Sequence, residues 1–268
     1  MLTLEQIRHW HKLPLHEETF YSPILGREQR FGWVAPEGAR ADALQRYPLL
    51  LLLHGLNGGY QDWYKQTRIG KYAWGLPMVV VFPDAGNGWY TNGVGEAERS
   101  EDALIFDLLP YLQEKLPLLP CGRAWAIGGA SMGGYGALKL ALKHTHFFGT
   151  ALSHSGSLEK PLLAEPHPIF GDPVRDIAFR RKESLHYLVE QALCVYPTER
   201  PALYIDCGLQ DALLEVNRRF RDHLQFLGFG HEYHEMQGHH TWPYWDRALR
   251  YALPLIAKRL GVERNQEA

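Results

Sequence analysis

Cysteine is scarce in this sequence: Cys121, Cys194 and Cys207 are the only three among 268 residues. The number is odd, the spacing is wide and no CxxC pair occurs, which argues against a disulfide framework and a cysteine-rich zinc site. Net charge is small as well. Twenty-eight basic residues against 30 acidic ones leave a formal charge of −2, so no basic field is on offer to a nucleic acid or an anionic membrane. Long apolar runs are missing too. The longest surrounds Leu49 to Leu53, far short of the roughly 20 residues that cross a bilayer. The amino terminus, MLTLEQIRHWHKLPLHEE, has no basic region followed by an apolar one, so no secretory leader is read. These absences predict a soluble, cytoplasmic protein that binds through a local pocket, without nucleic-acid or membrane partners. No repeat or low-complexity tract occurs, and the polar end, Val262 to Ala268, reads as frayed.

What is present alternates. Hydrophobic residues make up 46% and charged residues 22%, an ordinary globular balance. The length suits one large α/β domain over residues 1–268. Phe20–Tyr21 and Arg30 to Val34 read as early strands around a turn at Gly26. PLLLLL at 48–53 and PMVVVF at 77–82 are short apolar runs, read as strands buried on both faces. Ile105, Leu108, Leu112 and Leu116 draw one stripe on a helix over 99–116, with Pro110 as a kink. Strands at Ala124 to Gly128, Phe148 to Ser153, Ala202 to Asp206 and His231 to Met236 alternate with helices near 134–144, 213–227 and 243–260. This order predicts an α/β fold: a mainly parallel central sheet, helices on both faces, and an antiparallel edge from the early strands. Residues 157–200 break the rhythm, with Pro161, Pro166, Pro168, Pro173 and Pro197 and one helix near 183–193. They read as an insertion, either a pocket wall or a surface excursion.

The chemistry gathers at Gly129-Ala130-Ser131-Met132-Gly133, a G-x-S-x-G between the strand AWAIG and the helix YGALKLALKH. That context is the one a nucleophile elbow requires. A strand that turns sharply into a helix holds its apical serine in a strained conformation, and side chains two positions away on either side would collide. The serine then lies at a helix N-terminus, where free N–H groups favour a developing anion.

A serine hydroxyl needs a base, and the base an orienting carboxylate, in the chain order serine, acid, histidine. Asp206 ends the strand ALYID and Asp211 lies in the following loop; the loop position favours Asp211. The base falls in the loop after the last strand, on His239 or His240. His231, His234, His239 and His240 do not make a metal site, because positions i and i+3 of a strand face opposite ways and no HExxH accompanies them. The oxyanion donors expected by geometry are the backbone N–H of Met132 and that of Leu56, in the glycine-rich loop after the first buried strand.

Five segments now resemble a known group: LLHGLNGGYQDW at 52–63, FPDAGNGWYTN at 82–92, GGASMGGYGALKLAL at 128–142, IDCGLQD at 205–211 and GHHTWPYW at 238–245. They resemble the esterase family of α/β-hydrolases that includes tributyrin esterase, S-formylglutathione hydrolase (esterase D), the antigen 85 mycolyltransferases, and feruloyl and acetylxylan esterases. The likeness spans about residues 20–260 and is strongest to the tributyrin esterase branch. It implies an α/β-hydrolase fold and a serine carboxylesterase of short-acyl esters, without cofactor or metal. The nucleophile then falls on Ser131, the acid on Asp211 in CG-x-x-D, the oxyanion donors on Leu56 and Met132, and the base on His240 in G-x-H-x-W-x-x-W. The chain departs from the pattern at His239, where the family residue is commonly small. The resemblance allows a homo-oligomer, from monomer to tetramer. Trp63, Trp89, Tyr90 and Trp242 stand near the motifs as candidate pocket residues, with His154 and Ser155 at the sheet's carboxyl edge. The alternatives are a carbohydrate esterase for acetyl or feruloyl groups, an acyltransferase on the same three residues, and a non-catalytic binding module.

Overall fold

The computed structural model describes residues 12–96, 98–196 and 198–263. The readings of a leader-free amino terminus and a frayed carboxyl end fall mostly on residues 1–11 and 264–268, outside these. The early hairpin is longer than the apolar pattern suggested: β1 (His16–Ser22) and β2 (Arg27–Val34) pair antiparallel. Its outer strand buries only Phe20 and Ser22, and the four residues before Phe20 are polar and carry no apolar signal.

β3 (Leu49–Leu53) and β4 (Val79–Pro83) are buried at every residue. Leu49, Leu51 and Leu53 face one apolar layer, Leu50 and Leu52 the other. This two-sided burial is why the runs are continuous rather than alternating. Between them lie two short helices that the sequence pattern did not indicate, α1 (Asp62–Gln66) and α2 (Ile69–Tyr72). The expected 99–116 helix is divided into α3 (Ser100–Asp102), a π segment (Ala103–Leu108) and α4 (Leu109–Lys115). The wide turn comes just before Pro110, whose ring and missing N–H do not fit a regular helix interior.

β5 (Gly122–Ala130), β6 (Phe148–His154), β7 (Ala202–Gly208) and β8 (His231–Met236) continue the sheet in parallel. The eight strands run in the order β1-β2-β4-β3-β5-β6-β7-β8. One layer carries α5 (Met132–Lys143), α7 (Leu185–Val195), α8 (Leu214–Phe226) and the π segment with α4; the other carries α1, α2 and α9 (Trp242–Arg259). The 157–200 segment holds α6 (Ile177–Lys182) as well as α7, one helix more than expected.

From β3 the chain moves outward to β4, then returns to place β5 on the other side of β3. Such a reversal opens a crevice at the carboxyl ends of the two strands, where open α/β sheets bind ligands. The loops after β3 and β5 carry Leu56 and Ser131. Among the described residues, no helix is long and apolar enough to cross a membrane.

Candidate active site

Ser131 sits between β5 and α5 with φ 56° and ψ −115°, a strained backbone for a residue with a side chain. Its N–H donates to the His154 carbonyl at 3.0 Å, and its own carbonyl accepts from Tyr135 and Ser157 at 3.1 Å each. The glycines on either side leave no room. A Cβ on Gly129 would lie 2.4 Å from the Gly133 carbonyl group, and one on Gly133 would lie 2.3 Å from the Leu53 oxygen. The steric demand inferred from the motif is therefore present as named contacts, and the Met132 N–H falls in the first helical turn, which lacks intrahelical acceptors.

The loop after β3 packs directly on this elbow: a Cβ on Gly55 would be 3.7 Å from Ser131 Cβ. Leu56 is half exposed beside it, and Asn57 follows in the left-handed region with φ 59°. A paired contact holds Asn57 in place. Its N–H donates to Asn87 Oδ1 at 2.8 Å, and Asn87 Nδ2 donates to Asn57 Oδ1 at 2.9 Å.

The loops after β7 and β8 are closed onto each other. Gln210 N–H donates to the Gly238 carbonyl at 2.9 Å, and Gly238 N–H returns a bond to Gln210 Oε1 at 2.7 Å. This zipper brings Asp211 to His240, with Nδ1 at 2.9 and 3.1 Å from the two carboxylate oxygens. Burial pushes the Asp211 carboxyl up. The His240 ring, the Leu213 N–H and the Ser155 hydroxyl outweigh it and hold Asp211 below its ordinary value. With Nδ1 facing the carboxylate, the neutral His240 ring carries its proton there and leaves Nε2 as the acceptor. Trp245 stands edge-on to the ring at 5.0 Å. His239 is exposed and makes no such pairing.

Asp206 does different work. It is fully buried, with its two oxygens on His154 Nδ1 at 2.5 Å and the Tyr244 hydroxyl at 2.8 Å, so it fastens β6 and β7 to α9. His154 was expected at the pocket edge and is instead closed off beneath the loops, with no exposed surface. The same correction applies to three of the aromatic candidates. Trp63 has no exposed surface and donates its indole N–H to the Leu53 carbonyl at 2.9 Å. Tyr90 is buried, with its hydroxyl on the His54 carbonyl at 3.0 Å. Trp89 packs edge-on against Tyr135, His167 and Phe170. These rings are consumed in seating loops on the scaffold. Only Trp242 remains partly exposed, edge-on to Trp63 at 5.3 Å.

The insertion is tied to the elbow helix by a buried charge network. Lys139 of α5 has no exposed surface; its Nζ lies 2.6 Å from Glu101 and 3.0 Å from Glu183, and also donates to the Tyr90 carbonyl and the Thr91 hydroxyl at 2.8 Å. Within the insertion, the buried Arg180 donates to four carbonyls, those of Pro161, Leu163, Glu165 and Gly171. Residues 161–171 are thereby ordered around a single guanidinium. Sequence reasoning missed both hubs, because a lone Lys or Arg inside an otherwise apolar or irregular stretch looks like surface. Among the described residues, no group of three or more His, Cys, Asp or Glu side chains is arranged to hold a metal ion. A cavity of about 1070 Å³ bordered by Trp33, Tyr47 and Trp74 lies at the amino ends of the parallel strands, away from Ser131.

The fold and these loops can be set beside known proteins. The chain is 30% identical over 252 residues to Esterase Rv1288 of Mycobacterium tuberculosis, with 83% of this chain and 54% of that relative covered. It therefore spans about half the length of that protein. It is 26% identical to an acetyl esterase of Caldicellulosiruptor saccharolyticus, with 78% of this chain and 83% of the relative covered. The structure of FphF, a fluorophosphonate-binding serine hydrolase of Staphylococcus aureus, superposes with a TM-score of 0.80 at 24% identity, covering 91% of this chain and 98% of that one. The sheet order and helix layers are those of the α/β-hydrolase fold. The family model described as "Putative esterase" matches residues 22–256, and with nearly the whole scaffold inside that match the chain belongs to this esterase family.

Proposed function

We propose that the chain is a serine carboxylesterase that hydrolyses short-acyl esters through an acyl-enzyme on Ser131. The observation that carries this reading is the strained backbone of Ser131 at the head of α5, against the Gly55–Leu56 loop. Strain of about 1–3 kcal/mol persists only where the surroundings enforce it, and it gathers at functional sites. The Asp211–His240 bond supplies the second support, since it leaves Nε2 as the base.

Ser131 Oγ attacks the ester carbonyl carbon while His240 Nε2 takes its proton. Asp211 holds the tautomer and stabilises the imidazolium. The Leu56 and Met132 N–H groups receive the tetrahedral oxyanion. As the intermediate collapses, the C–O bond to the alcohol breaks and His240 returns the proton to the departing oxygen. Water then adds to the acyl carbon with His240 again as base, releasing the acid and free Ser131. The short-acyl reading rests on the resemblance to tributyrin esterase and on the relative named acetyl esterase.

The relative named acetyl esterase makes acetyl esters, on simple alcohols and on sugars, the first substrates to test. Transfer to an acceptor alcohol would use the same acyl-enzyme and would appear as a new ester product. The decisive experiment is fluorophosphonate labelling with peptide mapping, paired with a panel of acyl esters. The adduct is expected on Ser131, and Ser131→Ala is expected to abolish both labelling and hydrolysis. A folded wild-type protein that takes no label and turns over no ester would instead be a binding module.

A further inference from the structure

His54 follows β3 and is almost wholly buried. Both ring nitrogens are occupied: Nδ1 lies 2.8 Å from the Gly55 oxygen, and Nε2 lies 3.1 Å from the Ala85 amide nitrogen. An amide N–H can only donate, so Nε2 accepts. The neutral ring therefore carries its proton on Nδ1 and donates it to the Gly55 carbonyl. The Asp84 carboxylate stands 3.7 Å from Nε2, outside hydrogen-bond range.

The Gly55 carbonyl belongs to the peptide that joins Gly55 to Leu56. No cis peptide occurs among the described residues, and a trans peptide is planar, with its C=O and N–H on opposite sides. Fixing the Gly55 carbonyl therefore fixes the direction of the Leu56 N–H. Gly58 N–H adds a second bond to the same oxygen at 3.1 Å, and the Tyr90 hydroxyl holds the preceding carbonyl, that of His54, at 3.0 Å. Donation into a peptide carbonyl also polarises the unit and strengthens its N–H as a donor.

We propose that His54 is a positioning residue of the oxyanion site: its Nδ1–H orients and polarises the Gly55–Leu56 peptide so that the Leu56 N–H meets the tetrahedral intermediate. The proposal rests on the reading of Ser131 as nucleophile. With both ring nitrogens committed to backbone groups, His54 exchanges no proton with substrate. Its effect is confined to the transition state, where the oxyanion exists, and so falls on kcat and not on KM.

The test compares His54→Asn with His54→Gln and His54→Ala. The Asn amide nitrogen can take the place of Nδ1, whereas the longer Gln amide reaches toward Nε2 and leaves the Gly55 carbonyl with Gly58 alone. Gln and Ala are expected to lower kcat about ten-fold, a fraction of the loss on deleting a whole oxyanion donor. KM should stay within about two-fold, and fluorophosphonate labelling should slow in parallel. Asn is expected to recover most of kcat, with thermal unfolding confirming native-like folding in each variant. Folded Gln or Ala variants with undiminished kcat, or Asn and Gln falling alike, would overturn the proposal. Should Asn alone fold, its preference for a boronic acid that forms a tetrahedral adduct over a neutral substrate analogue must match the wild type; a reduced preference overturns the proposal. A wild-type protein that is not labelled at Ser131 would sink the esterase reading itself, a result distinct from any of these.

Discussion

Asp211 and His240 lie on loops after neighbouring strands, 29 residues apart in the chain, and meet through Nδ1 at 2.9 Å from the nearer carboxylate oxygen. The adjacent His239 is exposed and outside this pairing. Asp211→Asn keeps the shape but favours the wrong tautomer of the ring, and is expected to lower kcat by roughly 10⁴. His240→Ala should fall at least as far, and His239→Ala should stay within about two-fold of wild type. Steady-state kinetics on a short-acyl ester checks all three; a large loss in His239→Ala would reassign the base.

The elbow makes a steric prediction. Gly133→Ala places a methyl group 2.3 Å from the Leu53 oxygen, a backbone atom that cannot swing aside. The variant is expected to lose esterase activity by more than about 100-fold, since displacement of the elbow by an ångström is enough to misplace the nucleophile. Circular dichroism should show native secondary structure with a lowered unfolding temperature. Near-normal activity would mean that the elbow is looser than its contacts indicate.

Lys139 supports stability instead of chemistry. Lys139→Met removes the buried cation shared by Glu101 and Glu183, leaving them Lys143 and, at Glu101, the His144 ring. It is expected to cost about 3 kcal/mol in denaturant unfolding, the lower end for breaking a buried pair. The network also fixes a pH dependence. Burial pushes the Glu101 carboxyl up, but the Lys139 charge, the His144 ring and Lys143 overcome it and hold the group well below its ordinary 4.5. A depressed carboxyl contributes stability in full above its unfolded value, and that contribution drains away as the pH falls through the folded value. Wild-type stability should therefore fall on acidification below about 4.5, and Lys139→Met should flatten that limb. An unchanged acid limb in the variant would exclude Lys139 as a source of it.

The cysteines should differ in reactivity. Burial, reinforced by the Asp211 charge, pushes the Cys207 thiol up to about 12, whereas Cys194 is exposed. The thiolate is the reactive form, so a maleimide at pH 7 should label Cys194 in the native protein and leave Cys207 untouched until unfolding. Mass-mapped labelling with and without denaturant checks this. Rapid native modification of Cys207 would mean that the carboxyl end of β7 opens to solvent.

Much of the frame was legible from pattern alone. The runs at Leu49–Leu53 and Val79–Pro83 have no polar interruption because both faces are covered, and strands alternating with helices force parallel pairing. The elbow was legible because it is local: strand, turn and helix are contiguous, and the glycine requirement acts over two residues. The hairpin was underread because its solvent-facing edge has little apolar content, and α1 and α2 because helices of four or five residues carry almost no periodicity.

The aromatic candidates show where such reading stops. Proximity in sequence to a motif does not say which way a ring turns, and Trp63, Trp89 and Tyr90 turn inward to fill the seams between loops and sheet. The sequence by itself determined the fold class, the family and the strained turn at Ser131, since each rests on local pattern or on motif order. Only the tertiary structure decided that Asp211 reaches His240, that Asp206 fastens His154 and Tyr244, and that the His54 ring meets the Gly55 carbonyl. Each of these depends on the direction of a side chain after loops from separate strands have closed together. That direction is set by packing and hydrogen bonding across tens of residues, which no local pattern encodes.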